Sequence, residues 1–333
     1  AGALETLFAE GDLCLTSLGW MPDDPGAASL AERLASPIPN LLRVRSAYAW
    51  FATEAALAED PARALSMLDR LGESLARPGC LIDAMITIAG DAMRDEALLV
   101  LALAGRLSPA RIDAWTEEPP RAREILADGL RGERLRFLAP LGRELLAGAS
   151  LADLLGPLSN LEEGNLWTHR LRPWVHGARE CAACVDALLA VEQHLRGEID
   201  REAMDASVAP ALDVGYPFAL VLPNTRGMVR MGEANAGRHR LVRAAFRLAR
   251  ASADRGALPA DALEARAWRR EERPTRSDED DAPRLRYVRL SADRFRVAFD
   301  TPDGGVPVGW EDPPSERPLV LHESCIEVRV DVP

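Results

Sequence analysis

A chain of 333 residues, 47% apolar and 28% charged, has the composition of an ordinary globular protein and the length of about two domains. All 40 basic residues are Arg, which excludes any chemistry that needs a Lys amine: the Walker A phosphate grip, the pyridoxal phosphate Schiff base, Ser-x-x-Lys acyl transfer and the protein-kinase strand lysine. The net charge of −12, with Arg interleaved among Asp and Glu, argues against a nucleic-acid partner, since phosphate binding needs local positive charge. The longest apolar run, 97–105, is nine residues, far short of the ~18 that cross a bilayer. No secretory pattern opens the chain, which begins at Ala1; the chain as given is expected to be soluble.

The first helical stripe is Leu41, Val44, Tyr48, Phe51 and Ala55, recurring at three and four residues. Asp60 and Pro61 supply an N-cap and a first-turn proline for a second stripe, Leu65, Leu68, Leu71 and Leu75, which Pro78 and Gly79 close. A third helix is expected over about 81–106, central because it is apolar nearly all round at 97–104. Ser108 and Pro109 repeat the cap before Ile112 and Trp115. Another long helix follows Pro119 and Pro120, with a kink or break at Pro140. Further helices are expected over about 178–196 and 228–252. Short connections favour a stack of helical hairpins.

After residue 268 the pattern changes. A charged stretch, 269–284, leads into segments that alternate with a two-residue period: Arg284 to Leu290, Arg294 to Phe299 and Cys325 to Val332. The fold class is therefore mainly α, with an irregular helical-hairpin domain over 1–268, a charged linker at 269–284 and a small antiparallel β element over 285–333. That element is expected to pack on the helix near 236–252, because a small sheet is only marginally stable alone. In each strand one face is expected buried and one wet: Phe295, Val297, Phe299, Ile326 and Val328 inward, Glu327 and Arg329 outward.

Two resemblances attach to these segments. Residues 47–75, with small residues at close contacts and a proline turn, resemble a tetratricopeptide-type hairpin, although no second copy recurs at a 34-residue period. The order from Arg238 to Arg250, through Gly256 and Pro259, a short helix from Ala260, Tyr287, Phe295 to Phe299 and the turn Asp300 to Gly305, resembles the C-terminal module of a large group of uncharacterised bacterial envelope proteins. That module is in turn similar to the globular part of type II secretion pseudopilins. The central segments, 64–78 and 81–86 to Pro109, resemble theirs as well. The resemblance implies a location at the cell envelope, on the periplasmic side, with any membrane anchor upstream of Ala1; it leaves a cytoplasmic location open. The Asp-Pro-aromatic element common in that group is replaced here by the acidic run at 277–281.

Five sets of residues are candidates for chemistry or binding. Cys181 and Cys184, near His176 and His194, have the spacing of a zinc grip or redox pair. On a helix His194 would lie about 140° round from Cys181 and roughly 20 Å along the axis, so at most three ligands gather, and core packing with Val185, Leu188 and Leu195 is the better reading. Asp300 and Asp303, supplemented by Glu311 and Asp312, could hold calcium through oxygen ligands, and a comparable acidic loop binds calcium in pseudopilins; a hairpin turn without an ion is the simpler account. Trp167, Arg170, Arg172 and Trp174 form an aromatic–basic patch of the kind that dominates interface hot spots, or else pack between helices. His322 and Glu323 lack the second His of a zincin. An enzyme would have to assemble its site from scattered residues such as His169, His176, Asp91 and Glu163. The reading adopted is a non-catalytic, envelope-associated interaction or assembly protein with protein partners, without cofactor, metal, nucleic acid or an identified small-molecule substrate; the alternative is a hydrolase-type enzyme.

Overall fold

The structure, a computed structural model, describes residues 41–75, 78–148, 166–212, 225–271, 285–299, 306–307, 309–322 and 325–330. It is mainly α-helical with a small C-terminal antiparallel sheet. In chain order the described elements are α1 (Leu41–Leu57), α2 (Ala62–Ser74), α3 (Leu81–Leu103), α4 (Pro109–Glu117), α5 (Ala122–Glu133), a π-helical turn (Arg134–Leu138), α6 (Ala139–Leu146), α7 (Leu166–Leu195), α8 (Arg201–Leu212), α9 (Thr225–Arg255), α10 (Ala262–Glu271) and strands β1 (Leu285–Arg289), β2 (Arg294–Phe299), β3 (Leu319–Leu321) and β4 (Cys325–Arg329).

The helix boundaries follow from local chemistry. Asp60 accepts from the N–H of Ala62 at 3.0 Å, and the Ser108 hydroxyl accepts from Arg111 N–H at 3.3 Å ahead of Pro109; each satisfies a donor that a helix start leaves open. At the start of α3, Asp83 reaches back to accept from Gly79 N–H at 2.9 Å, which fastens the preceding turn onto the first turn of the helix. The far end of α3 is stopped by Gly105, whose φ of 65° is the left-handed conformation that glycine adopts without a Cβ clash. Arg106 N–H then closes onto Leu101 C=O at 2.9 Å, as in a Schellman ending. The kink expected at Pro140 takes the form of the π turn just before it. A ring without an N–H removes one rung of the ladder, and the wider turn accommodates the loss. Two elements lie outside the sequence expectation: α8, and the three-residue strand β3.

The chain divides into two compact units. One comprises Ala1–Trp50, Ser66–Asp91 and Arg121–Glu233; the other Phe51–Leu65, Ala92–Pro120 and Ala234–Pro333.

In the first unit α7 packs against α5, α6 and α8. Leu126, Leu130, Leu138, Leu188, Val191, Leu195, Met204 and Val208 are buried at its centre with Ala84 and Ile88 of α3. The approach of α5 to the start of α3 depends on two glycines. A Cβ at Gly129 would stand 2.7 Å from that of Ala84, and one at Gly132 would run into the carbonyl of Gly79. Close approach also brings Leu81 N–H to the Glu133 carboxylate at 3.1 Å. Because the clash is with backbone, Gly132→Val should cost at least the 1–3 kcal/mol typical of overpacking, roughly. An unchanged urea midpoint for that variant would show that α5 does not approach α3 in this way.

In the second unit the sheet order is β1-β2-β4-β3, antiparallel throughout. Phe295 lies opposite Val328 and Val297 opposite Ile326, all buried, so the apolar face has the expected register. Tyr287 stacks on Phe295 with ring centroids 5.8 Å apart and donates its hydroxyl to Pro259 C=O at 2.9 Å. The opposite face corrects the sequence expectation of a wet surface: Arg296 and Glu327 are each 1% exposed, and Arg294 is buried with them. These charges stay dry because they satisfy one another. Glu327 accepts from Arg294 at 3.0 Å, from Arg296 at 2.6 Å and from Ser315 N–H at 2.8 Å. Arg296 also donates to the carbonyls of Trp310 and Asp312, which draws residues 310–315 over the strands.

Candidate functional site

Several titratable side chains converge in the second unit around Asp95 on α3. Its side chain faces Trp115 on α4 and His239 and Arg243 on α9. Those positions follow from helical spacing: Ala236, His239, Val242, Arg243 and Phe246 share the inward stripe of α9, with Trp115 and Phe246 in ring contact at 5.5 Å. Asp95 is 3% exposed. It accepts from the indole N–H of Trp115 at 2.9 Å and makes a close hydrogen bond with His239 Nδ1. Burial pushes its carboxyl up. The bonds to His239 and Trp115, with the charges of His239 and Arg243, outweigh burial and hold it below the ordinary Asp value.

The other ring nitrogen of His239 lies 3.2 Å from the carbonyl of Glu118, so both nitrogens face protein acceptors. Arg243 donates to the same carbonyl and lies over the Trp115 ring, 6.0 Å from its centroid. Burial draws the Arg243 guanidinium down to about 10, despite the carboxylates of Asp95 and Glu118 beside it. Arg247 donates to Thr116 C=O at 3.0 Å, and Arg94 pairs with the Glu118 carboxylate at 2.9 Å. The last carbonyls of α4 and its following residues are thus capped by guanidinium groups, where helix C-terminal charge favours cations. What the arrangement does chemically is hold helices together. An imidazole whose two nitrogens are engaged by a carboxylate and a backbone carbonyl presents no free position to a substrate proton.

The sequence candidates fall elsewhere. Cys181 and Cys184 are buried on α7, and Cys181 S–H donates to Leu138 C=O at 3.3 Å. His194, at the end of α7, turns its Nδ1 towards Ile199 C=O at 3.2 Å. Asp91 pairs with Arg121 at 3.1 Å in a half-buried ion pair. Glu311 and Asp312 are exposed. Asp300, Asp303, Glu163 and most of the charged linker lie outside the described residues, as do the side chains of Trp167, His169, Arg170, Arg172, Trp174 and His176. Among the described residues no three His, Cys, Asp or Glu side chains gather as a metal site would require, and no helix is long and apolar enough to cross a membrane. Family models, curated proteins and solved structures give no match to this chain.

The thiols have a definite chemical character. Burial raises Cys181 to about 11 and Cys184 to about 12, the latter also through its neighbour Cys181; it raises Cys80 to about 12 and Cys325 to about 11. Since the thiolate is the nucleophile and the metal ligand, such groups are inert at neutral pH. Iodoacetamide at pH 8, read by peptide mass spectrometry, should leave these four cysteines unlabelled in the native protein and label all of them in denaturant. Rapid native labelling of Cys181 or Cys184 would refute the packing role.

Proposed function

We propose that this chain is a non-catalytic interaction or assembly protein, associated with the bacterial envelope, that meets protein partners through its helical surfaces. The observation that carries the reading is at the start of α3. Ile82 and Met85, one helical turn apart on the same face, are 43% and 44% exposed, although the helix around them is otherwise packed inward through Ala84, Ile86 and Ile88. Contiguous exposed apolar surface is a mark of a protein contact. The closed state of the Asp95 and His239 pair adds support, because the carboxylate and both ring nitrogens are spent on internal bonds. The envelope location rests on the resemblance of the C-terminal segments to the pseudopilin-like module.

The test is a photo-crosslinking amino acid at position 82 of the full chain, expressed in its native host and fractionated into envelope and soluble material. The expected result is a discrete protein adduct in the envelope fraction that Met85→Glu suppresses while the melting temperature stays unchanged. Absence of any adduct, or adducts indifferent to Met85→Glu, would overturn the interaction reading.

A further inference from the structure

We draw no further inference here: the strongest candidate, the buried cluster of Asp95, His239 and Arg243 in the second unit, belongs to the site already described and spends both ring nitrogens and the carboxylate on partners within the protein.

Discussion

Replacing Asp95 with Ala should destabilise the protein by about 3–5 kcal/mol, the cost of removing the carboxylate that offsets a buried guanidinium, that of Arg243. The substitution deprives the Trp115 indole N–H and the His239 ring of their acceptor, and removes the stronger of the two carboxylate influences that raise the Arg243 guanidinium. A buried donor left without an acceptor incurs its full desolvation penalty. Against a total stability of roughly 5–15 kcal/mol, this should move the urea midpoint strongly at unchanged slope. Asp95→Asn keeps the volume and one acceptor for Trp115, so it should cost distinctly less. The pH dependence has a definite sign. The carboxyl of Asp95 is held below its unfolded value, so its stabilisation is fully present above about pH 4 and is lost as pH falls through the lower, folded value. Asp95→Asn should therefore flatten part of the acid decline seen in the unsubstituted protein. A loss under about 1 kcal/mol for Asp95→Ala, with an unaltered acid limb, would mean that the pair is not formed.

The helices were legible where side chains act on their own backbone. Asp60 and Ser108 cap the next turn, and the stripes Tyr48, Phe51, Ala55 and Leu65, Leu68, Leu71, Leu75 are buried as their spacing requires. Helix α8 carries a comparable signal. Asp200 caps it, accepting from Ala203 N–H at 2.8 Å, and Met204, Val208 and Ala211 are buried at helical spacing. Pro210 in its last turn works against the pattern. Strand β3 is three residues long, too short for alternation to register. The polar cluster was harder for a different reason: Asp95 and His239 are 144 residues apart, and neither belongs to a local motif. A retrievable hint existed in the placement of His239 and Arg243 on the apolar stripe of α9, where an ionisable group must find a partner to be tolerated. The same rule accounts for the sheet. Alternation placed Phe295, Val297, Ile326 and Val328 correctly, but it cannot tell a solvated charged face from one whose charges neutralise each other. Arg296 opposite Glu327 in the register was the distinguishing pair.

Glu327→Ala should be the most damaging single change in the sheet, at about 3–5 kcal/mol. It leaves the guanidinium groups of Arg294 and Arg296 facing each other's positive charge where almost no water reaches, and it frees Ser315 N–H from its acceptor. Burial pushes the Glu327 carboxyl up, but its bonds to Arg296, Ser315 and Arg294 hold it below the ordinary value. Glu327 therefore also stabilises the fold at neutral pH and yields on acidification. The ions are tolerated because the Glu327 carboxylate pairs with both guanidinium groups, and this can be separated from a general intolerance of substitution. Removing all three charges, as Arg294→Met with Arg296→Leu and Glu327→Met, eliminates the desolvation cost along with the attraction, so the triple variant should be more stable than Glu327→Ala alone. Its specific defect should be local: without the bonds from Arg296 to Trp310 and Asp312, residues 310–315 should exchange amide hydrogens faster while β2 and β4 stay protected. If the triple variant is as unstable as the sum of the single changes, the charges act independently and the buried triad is the wrong description of that face.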